Sequence, residues 1–345
     1  MRLPTIISLA CLATAVSACG LSIPSSIHLM ARGDAQSLGK RTIGVSPQHP
    51  VAQNSEDHWT VAENERQMQV SDDAFIAKDF AHFNHHPNST MYYPGGVVMN
   101  LTEHIEDLRL YFSSYPDAAP HNHNYRVMFG EGDWTVAISV SSAINGGAVS
   151  DLSGNWLPPT MRPVKFDLMT IARWDGADNL PDIELNPYTA PLSTKPGVDN
   201  AKANKATMTK ADDAFNAGTF TAEALHLSED VKVYGLTDQP LDLKGFLATL
   251  KSLRKSFPDL HLDNKPYRQI IAQGDWTATV AMLSGTFKGP LELPPYLGSS
   301  PAQPTGRKFD LLHYTICRWQ DGKILEMRIN ADIFSIVGSL GIQLE

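Results

Sequence analysis

The chain has 345 residues, too long for one ordinary domain of ~100–150 residues and short for three, so two domains are expected. Hydrophobic residues make up 42% and charged residues 19%, a soluble, core-forming mixture that excludes a mainly disordered or collagen-like chain. With 28 Lys+Arg against 37 Asp+Glu the formal charge is −9, and no basic block interrupts it; a phosphate backbone would be repelled, so no nucleic acid is expected as a partner.

Residues 1–18 read as an export leader. Arg2 supplies the positive end, Ile6 to Val16 the apolar stretch, and Val16-Ser17-Ala18 the small-residue cleavage site. Cleavage there would leave Cys19 first, and Val16-Ser17-Ala18-Cys19 resembles the bacterial lipobox, whose Cys is lipidated. Two destinations stand: a lipoprotein held at a membrane only through Cys19, or a free secreted protein trimmed at Lys40-Arg41. Asn88-Ser89-Thr90 and Asn100-Leu101-Thr102 have the form of glycan acceptors. Cys11 falls in the leader and Cys19 at its cleavage point, which leaves Cys317 alone in the body and excludes an intrachain disulfide there. Cys317 is expected as a small buried hydrophobe.

Residues 19–57 lack sustained periodicity and read as a tether or pro-segment. The remainder of the chain is duplicated. Asp72-Asp73-Ala74-Phe75 returns 140 residues on as Asp212-Asp213-Ala214-Phe215. Tyr115-Pro116-Asp117 returns as Phe257-Pro258-Asp259, Gly132-Asp133-Trp134 as Gly274-Asp275-Trp276, Phe166-Asp167-Leu168 as Phe309-Asp310-Leu311, and Arg173-Trp174 as Arg318-Trp319. An ordered series of this kind marks two copies of one unit, 58–190 and 200–345, joined by a linker at 191–199.

Each copy predicts helices first and strands after them, an α+β domain. A first helix is expected over Trp59–Phe83 and Ala201–Ala217. A second opens at a cap, Asn100 with Glu103 in copy one and Asp242 in copy two, with apolar stripes Ile105, Leu108, Phe112 and Phe246, Leu250, Leu253. The Pro of each Tyr/Phe-Pro-Asp ends it. Strands are expected next over Tyr125–Phe129, Trp134–Ser141, Lys165–Trp174 and Asp182–Tyr188, and over Tyr267–Ala272, Trp276–Thr286, Arg307–Trp319 and Lys323–Ile333, as an antiparallel meander. Asp321-Gly322 and Asp175-Gly176 supply the hairpin turns.

Phosphate-loop, dinucleotide-binding, zincin, CxxC and nucleophile-elbow patterns are absent from the sequence. Histidines crowd copy one at His82, His85, His86, His104, His121 and His123. His121-x-His123 on an extended segment could present two imidazoles to a metal, but the interleaved Asn84, Pro87, Asn122 and Asn124 read as polar loop, and no metal is expected. In the last strand of copy two, Glu326, Arg328, Asn330 and Asp332 alternate with Met327, Ile329, Ala331 and Ile333. That polar row is either the wet face of a half-buried strand or the wall of a pocket.

The order of Phe257-Pro258-Asp259, Gly274-Asp275-Trp276, Gly285-Thr286-Phe287-Lys288-Gly289, Pro304-Thr305-Gly306-Arg307, Asp321-Gly322-Lys323-Ile324 with Glu326 and Asp332, and Leu340-Gly341 resembles the SnoaL-like polyketide cyclase family of the nuclear-transport-factor-2-like superfamily. The resemblance is good over ~200–345 and looser over ~58–190. It implies tandem domains, each a curved antiparallel sheet wrapped around N-terminal helices to form a conical pocket. It implies a cofactor-free cyclase or proton-transfer enzyme for a small hydrophobic carbonyl compound, with Asp332, six residues beyond Glu326, as general base. Arg328, Asn330 and His313 would orient the base or hold an enolate oxygen, and Asp310, Trp276 and Glu326 would contact substrate. His313 lies in an odd series, Phe309, Leu311, His313, that reads apolar. Copy one has Glu184 for Glu326 but nothing for Asp332, so a degenerate role in binding or pairing is expected, with the domains pairing within the chain or as a homodimer. A non-catalytic binding or scaffold module of the same fold is the alternative.

Overall fold

The structure, a computed structural model, describes residues 60–93, 98–123, 125–150, 156–174, 200–237, 239–293, 300–330 and 333–342. The leader, Cys19, the tether, Asp175-Gly176, the strand expected at Asp182–Tyr188 with Glu184, the linker, and Ala331 and Asp332 lie outside them. The chain divides into two compact units between Ala190 and Pro191, both of mixed α+β type.

In the first unit, α1 (Val61–Ala77) opens with a reciprocal capping box between Thr60 and Glu63. It stops six residues short of Phe83 because Lys78 turns left-handed, φ 57°, and the amides of Lys78 and Asp79 fold back onto the carbonyls of Phe75 and Ala74. Strands β1 (Thr90–Tyr92) and β2 (Val98–Asn100) pair with each other. Asn100 then caps α2 (Leu101–Ser114), with Glu103 completing the box. The expected stripe is rotated: Leu108 and Phe112 are buried, but so are His104, Asp107 and Tyr111, while Ile105 is only half-buried. After it come β3 (Ala119–His121), β4 (Val127–Glu131), β5 (Trp134–Ile144), the short pair β6 (Val149–Ser150) and β7 (Trp156–Leu157), and β8 (Pro163–Arg173). The long strand β5 has β3 and β4 along one edge and β8 along the other.

In the second unit, α3 (Ala201–Asn216) is followed by β9 (Leu227–Tyr234), a strand the sequence pattern left unmarked. Asp242 caps α4 (Leu243–Ser256) by accepting from the Gly245 amide. Then β10 (His261–Leu262), β11 (Gln269–Gln273), β12 (Trp276–Thr286), β13 (Lys308–Gln320) and β14 (Lys323–Asn330) run antiparallel, and α5 (Ile333–Leu340) ends the unit. The sheet order is β10-β12-β13-β14-β9, with β11 also on β12. The expected all-antiparallel meander is corrected at one edge: β9 pairs parallel to β14, because α4 and the strands after it provide the long crossover a parallel pair requires. The last strand is corrected too. It stops at Asn330, and Ile333 opens a helix whose Val337 and Leu340 are buried, Leu340 against Phe309 and Leu311. The hairpin between β13 and β14 turns on Asp321 and Gly322, both at positive φ (51° and 75°), as a tight turn demands.

The repeated sequence markers act as fasteners in each unit. Asp72 accepts from the Tyr125 hydroxyl at 2.7 Å, and Asp212 from Tyr267 at 2.6 Å. Asn122 donates to Asp73, and Asn264 to Asp213. The indoles of Trp174 and Trp319 donate to Thr135 and Thr277, each at 2.9 Å. Asp117 and Asp259 receive the amides of Ile144 and Thr286. Ser114 and Ser256, ending the second helix of each unit, donate to the carbonyls of Ala148 and Pro290. One loop hugs each helix end so closely that a Cβ on Gly147 would stand 1.8 Å from the Ser113 carbonyl oxygen, and one on Gly289 2.3 Å from that of Lys255.

Gly147→Ala and Gly289→Ala are therefore expected to destabilise their own units by roughly 1–3 kcal/mol or more, measured by chemical denaturation. A second outcome concerns Asp212, whose pKa burial raises to about 7 against the hydrogen bond from Tyr267, with Asp213 adding to the rise. Between about pH 4 and 7 the folded form holds a proton the unfolded chain has released, so the Asp212 contribution to stability is present at pH 4 and lost as pH rises through 7. Asp212→Asn, which still accepts from Tyr267, should flatten the denaturation midpoint across that range.

Candidate active site

Cross-strand partners share a sheet face, so register assigns every side chain in the second unit to one of two sides. Cys317, Trp319 and Met327 pack against Met208 of α3 and Phe246 and Leu250 of α4, and Phe309 and Leu311 pack against Phe257 and Leu340. Odd positions of β13 thus face the helices. His313 lies among them, opposite Ala281, which packs with Tyr267 and Phe215.

This places the expected site residues on both faces. Arg328 and Glu326 come together: Arg328 Nε donates to Glu326 Oε1 at 2.6 Å, and the buried guanidinium lies 4.4 Å from the Tyr234 ring centre. Register aligns Glu326 with Arg318, Arg328 with Ile316 and Asn330 with Tyr314, all on the face away from the helices. Trp276, buried and opposite Arg318, and Asp310, exposed and opposite Ser284, belong to that same face. Partial burial raises the Asp310 carboxyl, with Arg268 pulling it down and Asp263 pushing it up. His313 is on the other side of the sheet from all of these. The row Glu326, Arg328, Asn330 and the imidazole therefore do not form one cluster. Asp332 lies outside the described residues.

The helix-facing side carries His313 together with Thr279 and Thr315, which the sequence pattern passed over. His313 Nε2 lies 2.9 Å from Thr315 Oγ1, while its Nδ1 is buried with no hydrogen-bond partner among the described residues. Thr279, directly opposite Thr315, buries its hydroxyl in the same condition. Burial pushes the His313 pKa down to about 4, so the ring is neutral at ordinary pH. A Thr315 hydroxyl donating to Nε2 leaves the proton on Nδ1, which then serves as an N–H donor. Asp212 also reaches this side; its charge, together with that of Glu326, adds to the burial that pushes the Cys317 thiol up. Its pairing with Tyr267 is repeated by Asp72 and Tyr125, which marks it as a structural latch.

Copy one has counterparts of β12 and β13 in β5 and β8, with a different set of polar groups: Ser139 and Ser141 are buried there. The Trp–Thr hydrogen bonds and the pairing Thr135 with Ala172, against Thr277 with Cys317, fix the correspondence. Thr279 and Thr315 then match Ala137 and Thr170, and His313 matches Leu168. The Phe-Asp-Leu marker is thus two residues out of register, Phe166 answering to Leu311, an even shift that keeps each side chain on its face. Three histidines of copy one have separate partners: His121 bonds Ser142, His123 contacts Gln69 and Asp73, and His82 pairs with Asp79. No helix among the described residues is long and apolar enough to cross a membrane.

The model of one family, SnoaL-like polyketide cyclase, matches residues 205–337. No curated protein matches the chain. Among solved structures, AclR, a candidate hydroxylase from Streptomyces galilaeus, is 23% identical, covering 41% of this chain and 97% of its own with a TM-score of 0.34. IdmH, a candidate polyketide cyclase from Streptomyces antibioticus, is 25% identical over 40% of this chain and 98% of its own, TM-score 0.32. A candidate SnoaL-like polyketide cyclase from Jannaschia sp. CCS1 is 19% identical over 43% and 96%, TM-score 0.35. Residues 205–337, within the second unit, are thus similar to the SnoaL-like polyketide cyclase family.

Proposed function

We propose that the second unit is a cofactor-free cyclase or proton-transfer enzyme for a small, uncharged carbonyl compound, bound in a conical pocket between the sheet and α3 and α4. The observation that carries this reading is the pair of buried, unpartnered hydrogen-bonding groups, His313 Nδ1 and Thr279 Oγ1, on the helix-facing side of the copy that matches the family. Asp332 acts as general base, taking a proton from a carbon flanked by carbonyls. The electron pair moves onto the carbonyl oxygen, and the resulting enolate carbon attacks a second carbonyl of the same molecule to close a ring. His313 Nδ1–H is aimed at the enolate oxygen, where a fixed neutral donor in a water-poor site stabilises developing charge. Glu326 and Arg328 hold the far side of β14 and keep its register. Export through residues 1–18, ending either in a lipid anchor on Cys19 or in free secretion, belongs to the same proposal.

The test monitors hydrogen–deuterium exchange at the central carbon of neutral 1,3-dicarbonyl compounds by NMR, with the full chain as catalyst. Asp332→Asn should lower the rate by about 10²–10⁴ while leaving the denaturation midpoint in place. Full turnover by that variant would sink the assignment, and saturable binding without exchange in the native protein would favour a binding module instead. His313→Leu, the residue copy one carries, should cost ~10²–10³ in kcat, and His313→Gln, which keeps a donor, should recover part of it.

A further inference from the structure

Copy one has no counterpart of His313 or Thr279 on its sheet, but its second helix is the more polar of the two. The second helices correspond through their caps, Asn100 and Asp242, and through the hydroxyls of Ser114 and Ser256. In this alignment Phe246, a core residue of copy two, stands where copy one has His104, and Thr249 stands where it has Asp107. Both His104 and Asp107 are buried, at 9% and 4% exposure. A degenerate spacer gains nothing from replacing a core Phe with an imidazole and burying a carboxyl beside it, since each such group costs free energy unless something meets it.

Three rings stand nearly parallel here. Phe83 lies 4.0 Å from His85 and 5.7 Å from His104, centre to centre, and the imidazoles are 5.6 Å apart, with interplanar angles of 25°, 20° and 28°. The Tyr93 hydroxyl bonds His104 Nδ1 at 2.6 Å. Two enclosed side chains are connected to these rings along the chain. Gln67 of α1, 2% exposed, accepts from Asn84, the neighbour of His85, and its Nε2 has no partner among the described residues. One helical turn beyond His104, Asp107 Oδ2 has none either, and neither does His85 Nδ1. Buried polar atoms are nearly always hydrogen-bonded, so a donor, an acceptor and an imidazole nitrogen left open around one stack of rings are what a bound molecule would complete. Burial holds both imidazoles neutral, His85 at about 4 and His104 at about 3, and raises Asp107 to about 7.

We propose that the first unit holds a ligand site of its own, between α1, α2 and residues 83–93, for an uncharged ring compound bearing a hydroxyl or carbonyl group. The ring extends the slab of Phe83, His85 and His104; a ligand hydroxyl donates to Asp107, and a ligand carbonyl accepts from Gln67. The site is independent of the reading given to the second unit and uses none of its residues.

The probe is 2-naphthol, a neutral aromatic hydroxyl compound, titrated into the full chain at pH 7 by its own fluorescence and by calorimetry. Saturable binding is expected, weakened roughly tenfold by Asp107→Thr and by His104→Phe, the loss of one hydrogen bond or one polar partner each. Both substitutions install the residue that copy two tolerates at the same place. Absence of saturable binding overturns the proposal, as does binding indifferent to both variants, which would put the probe elsewhere. Should either variant unfold, the ring resonances of His85 and His104 in the native protein decide: a shift on adding 2-naphthol supports the site, and unshifted rings with shifted His313 overturn it.

Discussion

The pairing of β12 with β13, and of β5 with β8 in the first unit, sets what every other residue of each sheet can do. Side chains alternate across a pleat, so a slip of one position would carry His313 to the far face and bring Arg328 and Glu326 toward the helices. That register is held by the tryptophan hydrogen bond to a buried threonine and by eleven consecutive partner pairs from Trp276 with Arg318 to Thr286 with Lys308. The bulge between Arg318 and Trp319 confines the irregularity to the hairpin end, away from His313. The helices are placed by this arrangement, because α3 and α4 have apolar faces to bury and the odd-numbered side of β13 is where Cys317, Trp319 and Leu311 wait for them.

The hydrogen bonds that recur in the two units allow a comparison within a single molecule. The fasteners are the same in both copies, down to the Asp–Tyr pair, the Asn that braces the neighbouring Asp, and the serine at the helix end. The interiors are different. Copy two has Phe246 and Leu250 on its second helix and places His313 and Thr279 on the sheet; copy one has Leu168 and Ala137 at those sheet positions, with Ser139 and Ser141 beside them, and places His104 and Asp107 on the helix. Groups that hold the backbone are tied to one geometry and repeat, whereas groups that line an interior are free to diverge with whatever they meet.

Much of the architecture was legible in the sequence. Caps at Asn100 and Asp242, the helix stops before Pro116 and Pro258, strand Trp276–Thr286 and the Asp321-Gly322 turn all rest on local chemistry, and each stands where that chemistry puts it. Departures occur where a distant partner decides. Strand β9 has too little alternation to stand out and exists because β14 offers it a parallel edge. The stripe of α2 was drawn through Ile105, as an apolar residue should be, yet the fold buries His104 and Asp107. The polar row Glu326, Arg328, Asn330 was read as one face, and register keeps it so, but that face turns away from the helices and leaves His313 opposite.

By itself the amino-acid order pointed to repeated markers along two stretches, to their α+β character, and to the resemblance of the second to one family, since each of these comes from repeats, caps and periodicity within short stretches. Only the tertiary structure decided which wall of each unit is polar. The facing of a side chain depends on what the strand pairs with and which helix lies over it, and neither is encoded within reach of the residue itself. His313 in its apolar series, Thr279 in a strand of small residues, and Asp107 on a helix carry no local mark; their significance comes from being buried without a partner, a property of the folded interior.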